Sequence, residues 1–179
     1  MTNIHPIVVH FPIALFITGL VMDVIGHLFQ KETAKKIGLV LVVLGAVGAL
    51  AAMVTGNFAE EQVEDRLSRA GKQVLDRHED LGKLTTYLLL VVAAIRVLIA
   101  TGWLNRWRFV AGAALAIYLI AGVIGLGTLI MTGYYGGELV YQYGAGVQLS
   151  PPEMEPQSNQ ATPPPPPRDD DHDDDDDDE

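Results

Sequence analysis

Four apolar stretches, at about Pro12–Phe29, Ile37–Thr55, Leu84–Leu104 and Phe109–Met131, constrain this chain more than any other feature. Each runs for roughly 18–23 residues, enough to cross a hydrocarbon core of ~30 Å at ~1.5 Å per residue. In lipid the backbone must satisfy its own hydrogen bonds, which only helices and closed barrels achieve, and these runs lack the alternation of barrel strands. The expected fold class is therefore all-α: a polytopic membrane protein with a four-transmembrane-helix up-down bundle. Charge agrees with this once it is located. The net charge is −10, but residues 169–179 hold ten of the 22 acids, with Arg168 beside them. The remaining 11 bases and 12 acids leave residues 1–167 at −1. A nearly neutral, apolar body suits a lipid bilayer, and it has no basic surplus for nucleic acid.

The domain expectation is a transmembrane domain over residues 1–149 and a tail over 150–179. The tail is rich in Pro, Gln and Ser up to Pro167, then almost entirely Asp. It lacks the apolar surface to offset its ordering entropy, so it reads as a disordered acidic extension. The first span reads as retained rather than as a signal peptide, because no basic region precedes it and no small-residue cleavage site follows. The short connections Gln30–Lys36 and Asn105–Arg108 share one side and carry five bases against Glu32 alone. The positive-inside rule makes that side cytoplasmic, with Trp103 and Trp107 at its interface and both termini outside. The implied location is a bacterial inner membrane, crossed several times.

Two outer segments have their own patterns. In the longer connection Gly56–Lys83, Val63, Leu67, Ala70 and Val74 recur at helical spacing, which predicts a short amphipathic helix, either a lid or a solvated connector. After the fourth span, GYYGGELVYQYGAGV at 133–147 has five glycines in fifteen residues. That predicts the helix stops there, leaving Leu139-Val140-Tyr141 to pair as a strand or pack into a pocket.

The chemistry available is histidine chemistry. The chain has no cysteine, which excludes disulfides, thiolate metal sites and covalent c-type haem. It offers no nucleophile–base pair, phosphate loop or paired carboxylates for a hydrolase. His5 and His10 open the first span and His78 precedes the third, so the topology puts all three at the outer end. Pro6 and Pro12 make the backbone there irregular, predicting either a kink near Pro12 or an extended lead-in to a helix starting at Pro12. Neutral imidazoles on two helices suit haem iron or a transition metal. His10 and His78 are the expected axial ligands, with His5 a third ligand or hydrogen-bond donor. Small residues such as Gly48, Ala51, Ala52, Gly56, Gly122, Gly125, Gly127 and Gly133 would make room for a porphyrin, or simply pack helices closely. Glu79 and Asp80 are candidates to orient His78, and Asp80 also to cap the third helix.

Two charges lie within spans. Asp23 follows His5 by 18 residues, as Arg96 follows His78, about 27 Å further along a helix. A structural ion pair between them is expected, with His27 one turn away able to join it. A proton or ion path between the two ends is the functional alternative.

HPIVVHFPIAL at 5–15, Asp23, Thr55-Gly56, His78 and the terminal GGELVYQYGAGV together resemble the bacterial domain of unknown function 2231 family. The similarity spans residues 1 to about 149 and implies a four-helix membrane protein. Members resemble accessory proteins of respiratory or cytochrome-containing systems. The family's last motif often reads LVYxHG, and here Tyr143 stands at the histidine position, so the ligand expectation stays with His5, His10 and His78. Three functions follow as expectations. The first is a haem b electron-transfer subunit working between quinol and an external acceptor such as a cytochrome. The second is a transition-metal binding or transport protein. The third is a non-catalytic accessory subunit of a respiratory complex.

Overall fold

The computed structural model describes residues 4–103 and 108–147. Trp107, most of the Asn105–Arg108 connection and the tail from 150 onward lie outside the described residues. The chain forms helices α1 (His5–Val8), α2 (His10–Leu28), α3 (Glu32–Val63), α4 (Arg69–Ala100) and α5 (Arg108–Tyr143). A 3-10 turn, Glu64–Arg66, leads from α3 toward α4. There are no strands among the described residues, and four helical segments are long and apolar enough to cross a membrane. The up-down, all-α membrane architecture expected from hydropathy is the one observed.

The pairing of α2 with α3 follows from residue size. On α2 the buried positions are Pro12, Phe16, Gly19, Asp23 and Gly26, alternating steps of four and three along one seam, as in coiled-coil packing. Gly38, Val42, Gly45 and Ala49 are buried on α3 with the same rhythm. Glycine on both seams lets the backbones approach closely. A Cβ on Gly26 would stand 2.7 Å from the Lys35 backbone nitrogen, and one on Gly38 would stand 2.7 Å from the Asp23 carboxyl carbon. Close contact of this kind replaces the hydrophobic effect as the source of helix association in lipid. Phe16, Val42, Leu89 and Val92 fill the middle of the bundle with no exposed surface.

The tight turn between α2 and α3 is closed by backbone geometry. Gln30 adopts a left-handed φ of 51°, and the Lys31 amide donates to the Gly26 carbonyl at 2.9 Å. This six-to-one closure usually uses glycine at the left-handed position.

Three sequence expectations are corrected here. The start of the chain is helical from His5 with a break at Val9, which agrees with the kinked alternative and corrects the extended lead-in to a helix starting at Pro12. Pro12 is accommodated in the first turn of α2, where a missing amide hydrogen leaves no mid-helix bond broken. The connection Gly56–Lys83 holds no separate amphipathic helix: α3 runs on to Val63 and α4 begins at Arg69. Ser68 caps α4, its hydroxyl accepting from the Gly71 amide at 3.2 Å, so Asp80 is mid-helix and caps nothing. The glycine-rich segment also stays helical to Tyr143, and the helix ends at Gly144 with φ 66°. Gly136 there packs against His78, whereas Gly133 and Gly137 face open space, and membrane helices carry glycine more often than soluble ones.

These extensions carry an apolar cluster of their own. Leu67, Leu75 and Leu139 are buried together, with Val63, Val74, Tyr143 and Ala145 against them. Ala70, expected on the same face, is exposed instead. Hydropathy marked where apolar composition ends, whereas the helices continue as long as this cluster gives them something to bury.

Candidate functional site

Polar side chains gather in two layers. His5, Thr55 and His78 form one, with Gly136 beside them; Asp23, Arg96 and Tyr118 form the other, with Gly38 beside them. On every helix the two levels are 17 or 18 residues apart, about 26–27 Å, close to the thickness of the hydrocarbon core.

In the histidine layer, the rings of His5 and His78 stand edge to face with centroids 6.4 Å apart and planes at 82°. Each ring is seated by a helix other than its own. His5 Nδ1 lies 3.1 Å from the Thr55 hydroxyl on α3, and its Cε1 is 3.2 Å from where a Cβ of Gly56 would stand. His78 Nδ1 lies 3.0 Å from the Thr132 carbonyl on α5. Its Cε1 would meet a Gly136 Cβ at 3.0 Å. A backbone carbonyl only accepts, so His78 carries its proton on Nδ1 when neutral, and Nε2 holds the lone pair. This is how a metal-binding histidine is usually oriented. Below it, Thr132 donates to the Thr128 carbonyl, which leaves its oxygen to accept from Thr85 at 3.0 Å.

His10 does not join His5 and His78. Five residues along a helix turn the chain by about 500°, so His5 and His10 point roughly 140° apart and cannot both face the bundle interior. His10 is exposed, and its Nδ1 donates to the Pro6 carbonyl at 2.6 Å, closing the joint between α1 and α2. The expected His10–His78 pair is therefore replaced by His5 and His78. Glu79 forms an ion pair with Lys83 rather than orienting His78, and the orienting group is the Thr132 carbonyl. No group of three or more metal-ligating side chains occurs among the described residues.

The glycines expected to make room for a porphyrin mostly hold helices together. Gly48 stands against Pro12, Gly56 against His5, Gly122 against Leu20, and Gly125 against Leu89 and Phe16. Gly127 and Gly133 face open space instead.

In the charged layer, Asp23 is 0% exposed and Arg96 4%. Arg96 Nε donates to Asp23 Oδ2 at 2.7 Å and Nη2 to Oδ1 at 2.8 Å. The same Nη2 donates to the Lys35 carbonyl at 2.8 Å. The Tyr118 hydroxyl donates to Asp23 Oδ2 at 2.6 Å. One residue from each of α2, α3, α4 and α5 thus enters the cluster. His27 is not part of it, because its Nδ1 donates to the Asp23 backbone carbonyl rather than to the carboxylate. Between the layers, Phe16, Val42, Leu89 and Val92 form a fully buried apolar plug, which offers no polar side chain to relay a proton between them.

The residues that meet in the histidine layer come from segments far apart in the chain. The family described as a predicted membrane protein (DUF2231) matches residues 1–149. The chain belongs to this family. Its match covers every described helix, and thus both polar layers. No curated protein and no solved structure matches the chain.

Sequence reading missed Tyr118, Thr132 and Gly136. A tyrosine inside an otherwise apolar span was a usable signal for the first. Thr132 acts through its backbone carbonyl, which no side-chain pattern announces. Gly136 was hidden by the expectation that its segment leaves the helix.

Proposed function

We propose that this protein is a membrane metal-binding subunit that holds one transition-metal ion between His5 and His78. The observation that carries the reading is the 6.4 Å pairing of two imidazoles from separate helices, with His78 held by a carbonyl on its Nδ1. Two imidazoles bound at ~2.0 Å to one metal place their ring centres about 6 Å apart. Imidazole suits copper or zinc. A bound ion supplies Lewis-acid or one-electron chemistry; His5 and His78 supply nitrogen donors, and Thr55 and the Thr132 carbonyl hold the rings in place. With Lys31, Lys35 and Lys36 at the opposite end, the positive-inside rule turns the metal site away from the cytoplasm in a bacterial inner membrane.

The haem b reading, with quinol and a cytochrome as redox partners, uses the same two rings. Gly56 and Gly136 are each occupied by an imidazole edge, and we read the two rings as ligands of a single ion.

Purified protein, stripped with chelator in detergent and titrated with Cu²⁺ or Zn²⁺, is expected to bind one equivalent per chain. His5→Ala and His78→Ala should each lose that equivalent and His10→Ala should keep it. Full occupancy in both of the first two variants, or no binding by the wild type, overturns the proposal. A reduced-minus-oxidised α-band with stoichiometric haem, in protein made with ample haem, would replace the ion with haem iron.

A further inference from the structure

Gly136 stands out because the adjacent Gly137 is so different. A Cβ on Gly136 would come within 3.0 Å of His78 Cε1 and 3.3 Å of Nδ1, whereas one on Gly137 would meet nothing within 4 Å. Both glycines lie in the same turn of α5, so they share backbone conformation and differ in what they face. We infer that Gly136 is a positioning residue for the metal site: the absence of a side chain there sets the depth at which the His78 ring rests on α5.

The argument runs through the hydrogen bond below the ring. His78 Nδ1 reaches the Thr132 carbonyl at 3.0 Å, and Thr132 is one helical turn before Gly136. The ring lies over that turn with its Nδ1 edge on the carbonyl and its Cε1 on the glycine. A methyl group at 136 occupies the place where the ring now rests. The ring must lift by a few tenths of an ångström, and the edge nearest the new carbon is the one carrying the hydrogen bond. Once the Nδ1–H bond to Thr132 is stretched, the preference for a proton on Nδ1 is lost, and with it the assignment of the lone pair to Nε2. The Thr132 hydroxyl is itself engaged below the ring with the Thr128 carbonyl and the Thr85 hydroxyl. Gly136 therefore controls both where His78 stands and which nitrogen it presents.

This inference rests on the metal-binding reading for its consequence but not for its geometry, so its test has two readouts. The variants are Gly136→Ala and Gly137→Ala, which bring the same change in helix propensity. In metal-free protein, nitrogen NMR of the His78 ring is expected to show the Nδ1–H tautomer in the wild type and in Gly137→Ala. A mixed or Nε2–H form is expected in Gly136→Ala. In the metal titration, Gly136→Ala should weaken binding by about tenfold, in the range found when a residue supporting a ligand is lost. Gly137→Ala should bind within about twofold of wild type on the same scale. An Nδ1–H ring in Gly136→Ala, or equal effects of the two alanines, overturns the inference. If no variant binds metal, including the wild type, the tautomer readout still decides the role of Gly136 while the metal reading fails by itself.

Discussion

The two polar layers of this bundle solve the problem of polar groups near lipid in opposite ways. In the Asp23–Arg96 layer each charge is buried, and the carboxylate accepts three hydrogen bonds from two other helices. In the His5–His78 layer the groups are neutral, half-buried and held through ring edges, hydroxyls and a carbonyl. A buried ion pair in low dielectric is costly to form and far costlier to leave half-made, so it fixes how the helices sit. A pair of neutral imidazoles costs less to seat and keeps nitrogen chemistry available. The lesson is that the charged layer works as a clasp and the histidine layer has the character of a site.

The comparison breaks first at Arg96. Arg96→Leu leaves the Asp23 carboxylate buried without its counter-ion, and unfolding in detergent should show a loss of about 3–5 kcal/mol. Replacing Asp23 and Arg96 together with leucines should cost less than the single change; a larger cost in the double variant would remove the clasp explanation.

Gly38→Ala comes next. Its methyl group would land 2.7 Å from Asp23 Cγ and Oδ1, forcing α2 and α3 apart at about 1–3 kcal/mol. The same unfolding measurement checks it, and an unchanged stability would mean the seam yields more easily than its distances suggest.

Tyr118→Phe removes one of the three bonds to the carboxylate and keeps the ion pair. It should cost about 1.5 kcal/mol, the lower end for a bond to a charged group. A loss as large as that of Arg96→Leu would make the hydroxyl, rather than the guanidinium, the main partner of Asp23.

The smallest effect on stability belongs to the histidine layer. His5→Ala removes a half-buried ring that packs on Gly56 and reaches the Thr55 hydroxyl, and should shift stability by roughly 1 kcal/mol or less. A loss comparable to that of Arg96→Leu would erase the distinction between clasp and site.

How much of this was legible can be followed residue by residue. The eighteen-residue spacings of His5 with Asp23 and of His78 with Arg96 were visible, and the pairing of Asp23 with Arg96 follows from parallel helices and the cost of a lone charge in lipid. The choice of His5 over His10 was also within reach, since a five-residue step cannot put both rings on one face. What misled the reading was composition. Prolines at 6 and 12 rightly suggested an irregular start, with the break at Val9, but not an extended one, since both fall within first turns where a missing amide hydrogen breaks nothing. Glycines at 133, 136 and 137 suggested a helix end, yet the helix runs on to Tyr143, as membrane helices tolerate glycine more readily than soluble ones.

The sequence by itself determined the number of membrane-crossing helices, their alternating direction and the depth of each polar residue, because apolar length and helical rise are local properties. Only the tertiary structure decided which imidazole meets His78, that a carbonyl on α5 orients it, and that Tyr118 and the Lys35 carbonyl complete the charged cluster. Those outcomes depend on how each helix is rotated about its axis. That rotation is set by close contacts between seams, such as Gly38 on Asp23 and Gly136 on His78, and no single helix contains that information.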